Sequence, residues 1–240
     1  MLIKESDLLN FISCPIKYMV YKNNNINEPD TYNTLLHKSY KWTINDYNYN
    51  GLEGLDARIK KHWDKVCIQH QNEILPKKVI EGWGMLYRVY ELLRDKHVEV
   101  LDVDIPYHIE IPGTSYAVEG QIDMISKYGD DIEILVPSFS NRMPESYLID
   151  NNIKHSLDAY AIKKMFNKNT FITYHNYNIS KDKYTARLER DLNKLELIVK
   201  NVGNCIESNL LYPCTGYHCS SCMARAICSE WGKDYNNEAF

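Results

Sequence analysis

The pattern of apolar and polar residues predicts a helical first part. Apolar residues recur at helical spacing from residue 5 to residue 22, and Ser6 has a side chain suited to cap that helix. Residues 23–30, NNNINEPD, interrupt the pattern and predict a loop. Further amphipathic stretches predict three more helices, at residues 31–42, 52–67 and 77–96.

From residue 97 onward the pattern becomes that of strands. Residues 97–111 and 115–126 are rich in β-branched and aromatic side chains, and the turn sequence PGTS separates them. The remaining segments predict, in order, a strand at 130–140, a helix at 147–166, a strand at 169–179 and a helix at 184–208. This order predicts an α/β core with a mixed central sheet flanked by helices, behind a helical preface.

We interpret the chain as one domain, residues 1–240, since its length fits a single large core. Within it we distinguish a helical preface at 1–96, an α/β core with its following helix at 97–204, and a cysteine-rich segment at 205–240. The sequence has no apolar run of membrane-spanning length and does not begin like a secretory signal. We therefore expect a cytoplasmic protein of a bacterium or a virus-infected cell, without a membrane partner.

Charge is distributed unevenly along a chain whose net charge is −4. Residues 101–150 hold ten acidic and two basic residues, whereas residues 151–200 hold five acidic and ten basic residues. A metal site beside a phosphate-binding surface would produce this contrast, and so would two ordinary solvated faces. Charge alone favours the second interpretation.

The cysteines suggest an inorganic centre. Cys219, Cys222 and Cys228 have the spacing C-x2-C-x5-C, one ligand short of the four that a tetrahedral zinc or a cubane cluster needs. Cys14, where a helix meets a proline, is the candidate fourth ligand, and Cys214 is a possible substitute. Spacing leaves a [4Fe–4S] cluster, a structural zinc, and free or disulfide-bonded thiols all open. The other two cysteines, Cys67 and Cys205, fit buried apolar positions in helices.

These motifs resemble those of the RecB-type nucleases in the PD-(D/E)XK superfamily. The similarity is to the iron–sulfur branch, which includes the AddB carboxy-terminal nuclease domain and the CRISPR-associated adaptation exonucleases. That branch has an early S-x4-F-x2-C-P-x2-Y motif, matched here by Ser6, Phe11, Cys14, Pro15 and Tyr18, before its late cysteines. The resemblance implies a restriction-endonuclease-like core, a [4Fe–4S] cluster on the four cysteines, and a carboxy-terminal segment clasped to the first helix.

The resemblance also implies positions for a nuclease site. The family has a histidine on an early helix, matched by His37, although Asn33 stands where the family has glycine. Its G-x-x-D motif, in which the aspartate binds Mg²⁺ or Mn²⁺, is matched by Gly120 and Asp123. These matches make Asp123 a candidate ligand for a weakly bound divalent cation.

Two further positions depart from the family pattern. Val136 stands where the family has its second acidic ligand, and Ser138 stands where it has the lysine that positions the attacking water. On the next helix Ser156 replaces a glutamine, and Tyr160 retains the tyrosine. Valine cannot coordinate a hard cation and serine carries no positive charge, so we expect hydrolysis to be lost.

Replacement groups would have to come from neighbouring positions. Glu133 lies three residues before Val136, so strand alternation puts it on the opposite face unless a bulge intervenes. Arg142, Lys163 or Lys164 could stand in for the lysine, but the missing acid would still need its own substitute.

We therefore expect a catalytically inactive, cluster-containing nuclease fold that binds DNA, as single strands or duplex ends, or scaffolds a DNA-processing or viral assembly. Tyr174, Tyr177 and Tyr184 could stack on bases. The alternatives are an active Mg- or Mn-dependent exonuclease with a rearranged site, and a structural subunit of a replication, recombination or virion complex without DNA affinity. The basic residues expected to contact phosphates are Lys163, Lys164, Lys168, Lys181, Lys183, Arg187 and Arg190.

Overall fold

The computed structural model describes residues 1–24, 26, 30–96, 98–216, 219–220, 222–226 and 228. The loop predicted at 23–30 and the cysteine-rich segment at 205–240 therefore lie partly outside the described residues. Within the described ranges, no helix is both long enough and apolar enough to cross a membrane. The helices are α1 (Glu5–Ser13), α2 (Pro15–Asn24), α3 (Tyr32–Asn50), α4 (Leu55–Gln69), α5 (Pro76–Lys96), α6 (Ser146–Asp150), α7 (Ile153–Phe166) and α8 (Glu189–Glu207). The strands are β1 (Leu2–Lys4), β2 (Val100–Glu110), β3 (Ala117–Tyr128), β4 (Asp131–Ser138), β5 (Thr170–Asn176) and β6 (Lys181–Ala186).

The six strands form one mixed sheet, which confirms the predicted α/β class. The strand order is β1-β3-β4-β5-β6, and β2 also pairs with β3. β1 runs parallel to β3 and β4 runs parallel to β5, whereas the β3–β4 and β5–β6 pairs are antiparallel. The parallel pair β4–β5 needs a crossover connection, and α6 and α7 provide it.

The chain divides into two compact units. The first contains Met1–Pro29, Tyr107–Gly120 and Glu189–Phe240, and the second contains Asp30–Pro106 and Gln121–Leu188. Strands β2 and β3 contribute residues to both units.

The core of the second unit is centred on helices α3, α4 and α5. Trp63 is fully buried there, and its indole N–H donates to the carbonyl oxygen of Val79 over 2.9 Å. α5 approaches this ring closely, because a Cβ atom at Gly82 would lie only 2.3 Å from Trp63 Cζ2. The same core includes Met124 and Leu135, so these helices cover part of one face of the sheet.

In the first unit, the predicted helix at residues 5–22 is two helices. Cys14 lies between α1 and α2 in an extended conformation, with φ −166° and ψ 116°. Its neighbour explains the break, because the ring of Pro15 disfavours helical geometry in the preceding residue and suits the first position of the next helix. The predicted cap is also wrong: Ser6 lies inside α1, which begins at Glu5.

Three other elements differ from the prediction. The sequence did not predict β1. The single helix predicted at 147–166 is divided into α6 and α7. Asn152 caps α7, because its side-chain oxygen accepts a hydrogen bond from the backbone N–H of His155. Residues 184–186 were assigned to a helix but belong to β6. β6 has no buried residue, and a helical sequence follows it directly, which concealed the boundary.

Candidate functional site

The carboxylate of Asp123 lies beside a lysine that sequence reasoning missed. Lys41 Nζ on α3 is 3.0 Å from Asp123 Oδ1 and 2.7 Å from Asp104 Oδ1. The amide of Asn45, one turn further along α3, donates to the other oxygen of Asp104 over 2.9 Å. The helical spacing His37, Lys41, Asn45 was the available signal, because residues four apart share one helix face.

The charges of this cluster stabilise one another. Burial lowers the pKa of Lys41, but hydrogen bonds and charges from Asp104 and Asp123 outweigh burial and raise it. Burial raises the pKa of Asp104, but hydrogen bonds from Lys41 and Asn45 outweigh that effect and lower it. A positive charge therefore already lies between the two carboxylates at neutral pH.

His37 belongs to the same neighbourhood. Its ring is 5.1 Å from the ring of Phe139 in an edge-to-face contact. The side chain of His37 is exposed, but desolvation by nearby protein atoms disfavours its charged form and lowers its pKa. The charge of Asp123 partly opposes this shift. The structure thus brings together two of the expected residues, His37 and Asp123, and adds Lys41 and Asp104.

The motif positions on β4 carry no charge. Val136 pairs with Tyr174 of β5, and Ser138 pairs with Asn176. The hydroxyl of Ser138 lies 3.2 Å from that of Ser140 and accepts a hydrogen bond from the Asn176 amide over 3.4 Å. These groups organise the end of β4 and supply neither a second acidic ligand nor a cation.

Glu133 lies on the opposite face of β4, as strand alternation predicted. The β4–β5 register continues without interruption through all seven pairs, so no bulge turns this side chain toward Val136. Its two carboxylate oxygens accept hydrogen bonds from the hydroxyls of Ser126, over 2.8 Å, and Thr173, over 2.5 Å. Glu133 therefore does not replace the missing acid.

The helix residues suggested by the family pattern are buried in α7. Ser156 accepts a hydrogen bond from Arg187 Nε over 2.8 Å and donates to the carbonyl oxygen of Asn152 over 3.0 Å. Tyr160 is 3% exposed, and Lys164 Nζ lies 5.0 Å from its ring centroid. Arg187 also donates to the carbonyl oxygen of Ile149, so its guanidinium helps to hold α6 and α7.

α7 also carries His155 and Asp158, two loose sequence matches to the family's glutamine position. Asp158 is 3% exposed and accepts a hydrogen bond from Lys154 Nζ over 2.5 Å, and Lys154 also donates to the carbonyl oxygen of Gln121. The ring of His155 contacts Tyr174 edge to face at 5.0 Å. Burial raises the pKa of Tyr174 to about 12, and nearby charges modify the shift.

Two of the three tyrosines expected to stack on bases cannot do so. Tyr174 is 6% exposed and Tyr177 is 1% exposed, so both rings belong to the interior and that expectation is wrong for them. Tyr184 is 65% exposed.

The basic residues expected to contact phosphates differ in exposure and in their hydrogen bonds. Lys164, Lys168, Lys181 and Arg190 are exposed, whereas Lys163, Lys183 and Arg187 are half-buried. Lys168 Nζ donates to the carbonyl oxygen of Asp130, and Lys183 Nζ donates to that of Pro144, each over 2.8 Å.

Charge is segregated between the two faces of the sheet. At the positions paired in the β3–β4, β4–β5 and β5–β6 ladders, the face that carries Val136 and Ser138 also carries three lysines, and we call it the basic face. Those lysines are Lys127, Lys181 and Lys183. Strand alternation places Asp123 on the same face. The opposite face, the acidic face, carries three carboxylates at paired positions and neither lysine nor arginine. Those carboxylates belong to Asp131, Glu133 and Asp182.

In the first unit, Cys14 lies against the carboxy-terminal cysteine segment. Its Sγ atom accepts a hydrogen bond from the backbone N–H of Cys214 over 3.4 Å, across 200 residues of sequence. Cys219 Sγ accepts from the N–H of Gly216, also over 3.4 Å. Cys222 packs against the small cluster that joins α2 to the 3₁₀ helix Met223–Ala226.

The donor chemistry of this segment fits a thiolate-bound centre, and its geometry is not that of a closed site. All seven cysteines are free, and two of the four expected ligands accept backbone N–H groups, as metal-bound sulfurs commonly do. Within the described ranges, which include all four expected ligands, no group of three or more His, Cys, Asp or Glu side chains is arranged to hold a metal ion. Cys67 is buried in the core as expected, and Cys205 is half-buried.

The fold matches a solved structure over the whole chain. The chain aligns along 100% of its length with 91% of a protein from Eubacterium rectale that has been proposed to be an exonuclease, with a TM-score of 0.59 and 12% identity. At this identity the match establishes the fold alone. A second solved structure, SSO0001, aligns with 90% of this chain and 94% of its own at 13% identity, with a TM-score of 0.41 that is too low to support an inference. No protein-family model matches the sequence, and no curated protein matches it.

Proposed function

We propose that this protein is a RecB-type nuclease fold of the PD-(D/E)XK superfamily that binds DNA on its basic face without cutting it. One observation carries the proposal: Asp123, the only retained acidic position of the motif, is ion-paired with Lys41 instead of being available to a metal. The E. rectale protein, proposed to be an exonuclease, supports the proposal through its shared fold.

The chemistry of the site supports the loss of hydrolysis. Divalent-metal hydrolysis needs several hard oxygen ligands around the cation and a polarised water molecule. Here Val136 and Ser138 supply no charge, and Glu133 lies on the other face of the sheet. Lys41 is bound by both Asp104 and Asp123, so a divalent cation would have to displace an ammonium group that both carboxylates already hold.

The basic face supports DNA binding near the same positions. Lys183 pairs with Tyr174 and hence lies in one row with Val136, and Lys181 lies in one row with Asn176 and Ser138. Tyr174 and Asn176 are buried, so a phosphate backbone would meet this positive charge at the exposed Lys181, at the β6 end of these rows. The remaining expected phosphate contacts are Lys163, Lys164, Lys168, Arg187 and Arg190.

We further propose that Cys14, Cys219, Cys222 and Cys228 hold a [4Fe–4S] cluster, with zinc as the alternative. When bound, the cluster would cross-link the helix pair α1–α2 to the carboxy-terminal segment. Support comes from the contact between Cys14 and Cys214, because it brings the remote cysteine to the segment that carries the other three. The test is iron, sulfide and zinc quantitation with an absorption spectrum on anaerobically purified protein. Iron and sulfide that disappear in Cys14→Ser but not in Cys67→Ser support the cluster. Stoichiometric zinc or metal-free protein overturns it.

DNA binding is tested by fluorescence anisotropy with labelled single strands and duplex ends at several salt concentrations. We expect affinity to fall steeply with salt. Lys181→Glu, on the basic face, should weaken binding and flatten the slope, by about one unit for each lost phosphate contact. Lys77→Glu, at an 87% exposed lysine of α5, is the matched control and should change neither. Equal effects of the two substitutions, or the absence of binding, would refute this role.

A further inference from the structure

The acidic face of the sheet carries a group of exposed aromatic rings. Tyr128, Phe171 and Tyr184 expose 55%, 36% and 65% of their surfaces. Tyr128 pairs with Asp131, Phe171 pairs with Glu133, and the rings of Tyr128 and Phe171 lie 5.2 Å apart. Single exposed aromatic residues are ordinary, but neighbouring ones on one face of a sheet mark a binding surface.

A fixed negative charge lies among these rings. The carboxylate of Glu133 is held by the hydroxyls of Ser126 and Thr173, both of which are buried. Thr173, which holds this carboxylate, is also the register partner of Tyr184. A second carboxylate lies at the edge, where Asp182 contacts the ring of His175 on the same face and accepts a hydrogen bond from the Tyr184 hydroxyl over 3.2 Å.

The charges on this face select the sign of its ligand. Asp131, Glu133 and Asp182 occupy its paired positions, and the described strand residues add no lysine or arginine there. A nucleic acid stacking on these rings would bring its phosphates toward three carboxylates, which is unfavourable. A cation gains from both components, because aromatic faces and carboxylates each attract positive charge.

We propose that this aromatic and acidic face binds a cationic segment of a partner protein, with an arginine side chain over the rings. A guanidinium group is planar, stacks on aromatic faces and donates to carboxylates in two directions at once, which a lysine ammonium group cannot do. The rings lie on the opposite face of the sheet from the lysines assigned to DNA, so the two ligands would use different residues. The inference does not depend on the cluster or on the fate of catalysis.

The test uses a short fluorescein-labelled peptide of alternating arginine and glycine, with the corresponding lysine peptide and a labelled oligothymidylate as comparison probes. Anisotropy titrations are made with the full chain. We expect the arginine peptide to bind more tightly than the lysine peptide.

The variants separate rings from charge. The double variant Phe171→Ser with Tyr184→Ser should weaken binding of the arginine peptide about tenfold, whereas Tyr184→Phe, which keeps the ring, should retain it. Tyr49→Ser is the matched control, at an 81% exposed ring elsewhere on the chain. Glu133→Gln should also weaken binding, and Glu53→Gln, at an exposed carboxylate, should not. Circular dichroism melts show whether each variant is folded.

Two outcomes would overturn the inference. In the first, the double variant and Glu133→Gln weaken binding of the arginine peptide no more than the controls Tyr49→Ser and Glu53→Gln do. The other is oligothymidylate binding that the double variant abolishes, which would assign the rings to single-stranded nucleic acid instead.

Discussion

Replacing Lys41 by methionine should destabilise the fold at neutral pH and much less in acid. Methionine keeps most of the aliphatic stem and removes only the ammonium group. In the native protein that group bridges Asp104 and Asp123 at 2.7 and 3.0 Å. Its loss leaves two carboxylates close together without a counter-charge, and Asp104 keeps the hydrogen bond from the Asn45 amide.

The expected loss is about 1–2 kcal/mol. Coulomb attraction near a protein surface sets an upper bound of roughly 4 kcal/mol for each pair. Solvent reduces this strongly, because the side chains of Lys41, Asp104 and Asp123 are 31%, 35% and 47% exposed, and exposed pairs typically contribute about 0.2–1 kcal/mol. For a chain of this length the loss corresponds to a melting temperature about 3–6 °C lower.

The pH dependence follows from the direction of the pKa shifts. The pKa of Asp104 is lowered in the folded state, so its contribution to stability is present above its unfolded pKa and is lost as pH falls through the folded value. The pKa of Lys41 is raised, so its contribution is present below its unfolded pKa and is lost only as pH rises through the folded value. The wild type and Lys41→Met should therefore converge as Asp104 protonates, below about pH 4.

Urea denaturation of both proteins at neutral and acidic pH measures the difference directly. Lys38→Met is the matched control, because Lys38 lies on the same helix and pairs with Asp30 at an exposed position, so its loss should change stability little. Equal stability of Lys41→Met and wild type at neutral pH, or a deficit of the same size at both pH values, would refute the electrostatic account of this site.

The remaining predictions concern packing and metal affinity. Gly82→Ala should cost about 1–3 kcal/mol of unfolding free energy, because its Cβ atom would meet the buried ring of Trp63. Gly84→Ala, two residues along the same helix with nothing within 4 Å, should instead stabilise by about 0.5–1 kcal/mol, and denaturation curves that rank the two variants otherwise would contradict the packing. Lys41→Met should bind Mn²⁺ about tenfold more tightly than wild type in an electron paramagnetic resonance titration, since the competing cation is gone. That gain should vanish when Asp123→Ala is added, and unchanged Mn²⁺ affinity would show that Lys41 does not block the site.

The sequence predicted the elements in which apolar residues recur at a regular spacing. Helices α3, α4 and α5 and strands β2, β3 and β4 were all found, because their apolar spacing is set by the faces they bury. Edge elements were missed. β1 has only three residues, and β6 has a half-exposed pattern that passes directly into the sequence of α8. Neither carries enough buried surface to leave a clear periodic signal.

The candidate site was predicted in part for a related reason. His37 and Asp123 could be matched to a motif, and Val136 and Ser138 could be identified as departures from it. The partnership of Lys41 with Asp104 and Asp123 depends on how α3 packs against β2 and β3, which no local pattern encodes. The segregation of charge between the two sheet faces likewise appears only once the strand register is known.

The most direct test of the central claim is one incubation of end-labelled single-stranded and duplex DNA with the protein and Mn²⁺, in which bound fraction and DNA length are read from the same sample. If the protein binds DNA without cutting it, binding should weaken with salt and every strand should keep its full length. Shortening of the DNA that requires Mn²⁺ and disappears in Asp123→Ala would show that the site still cuts, and would contradict the proposal.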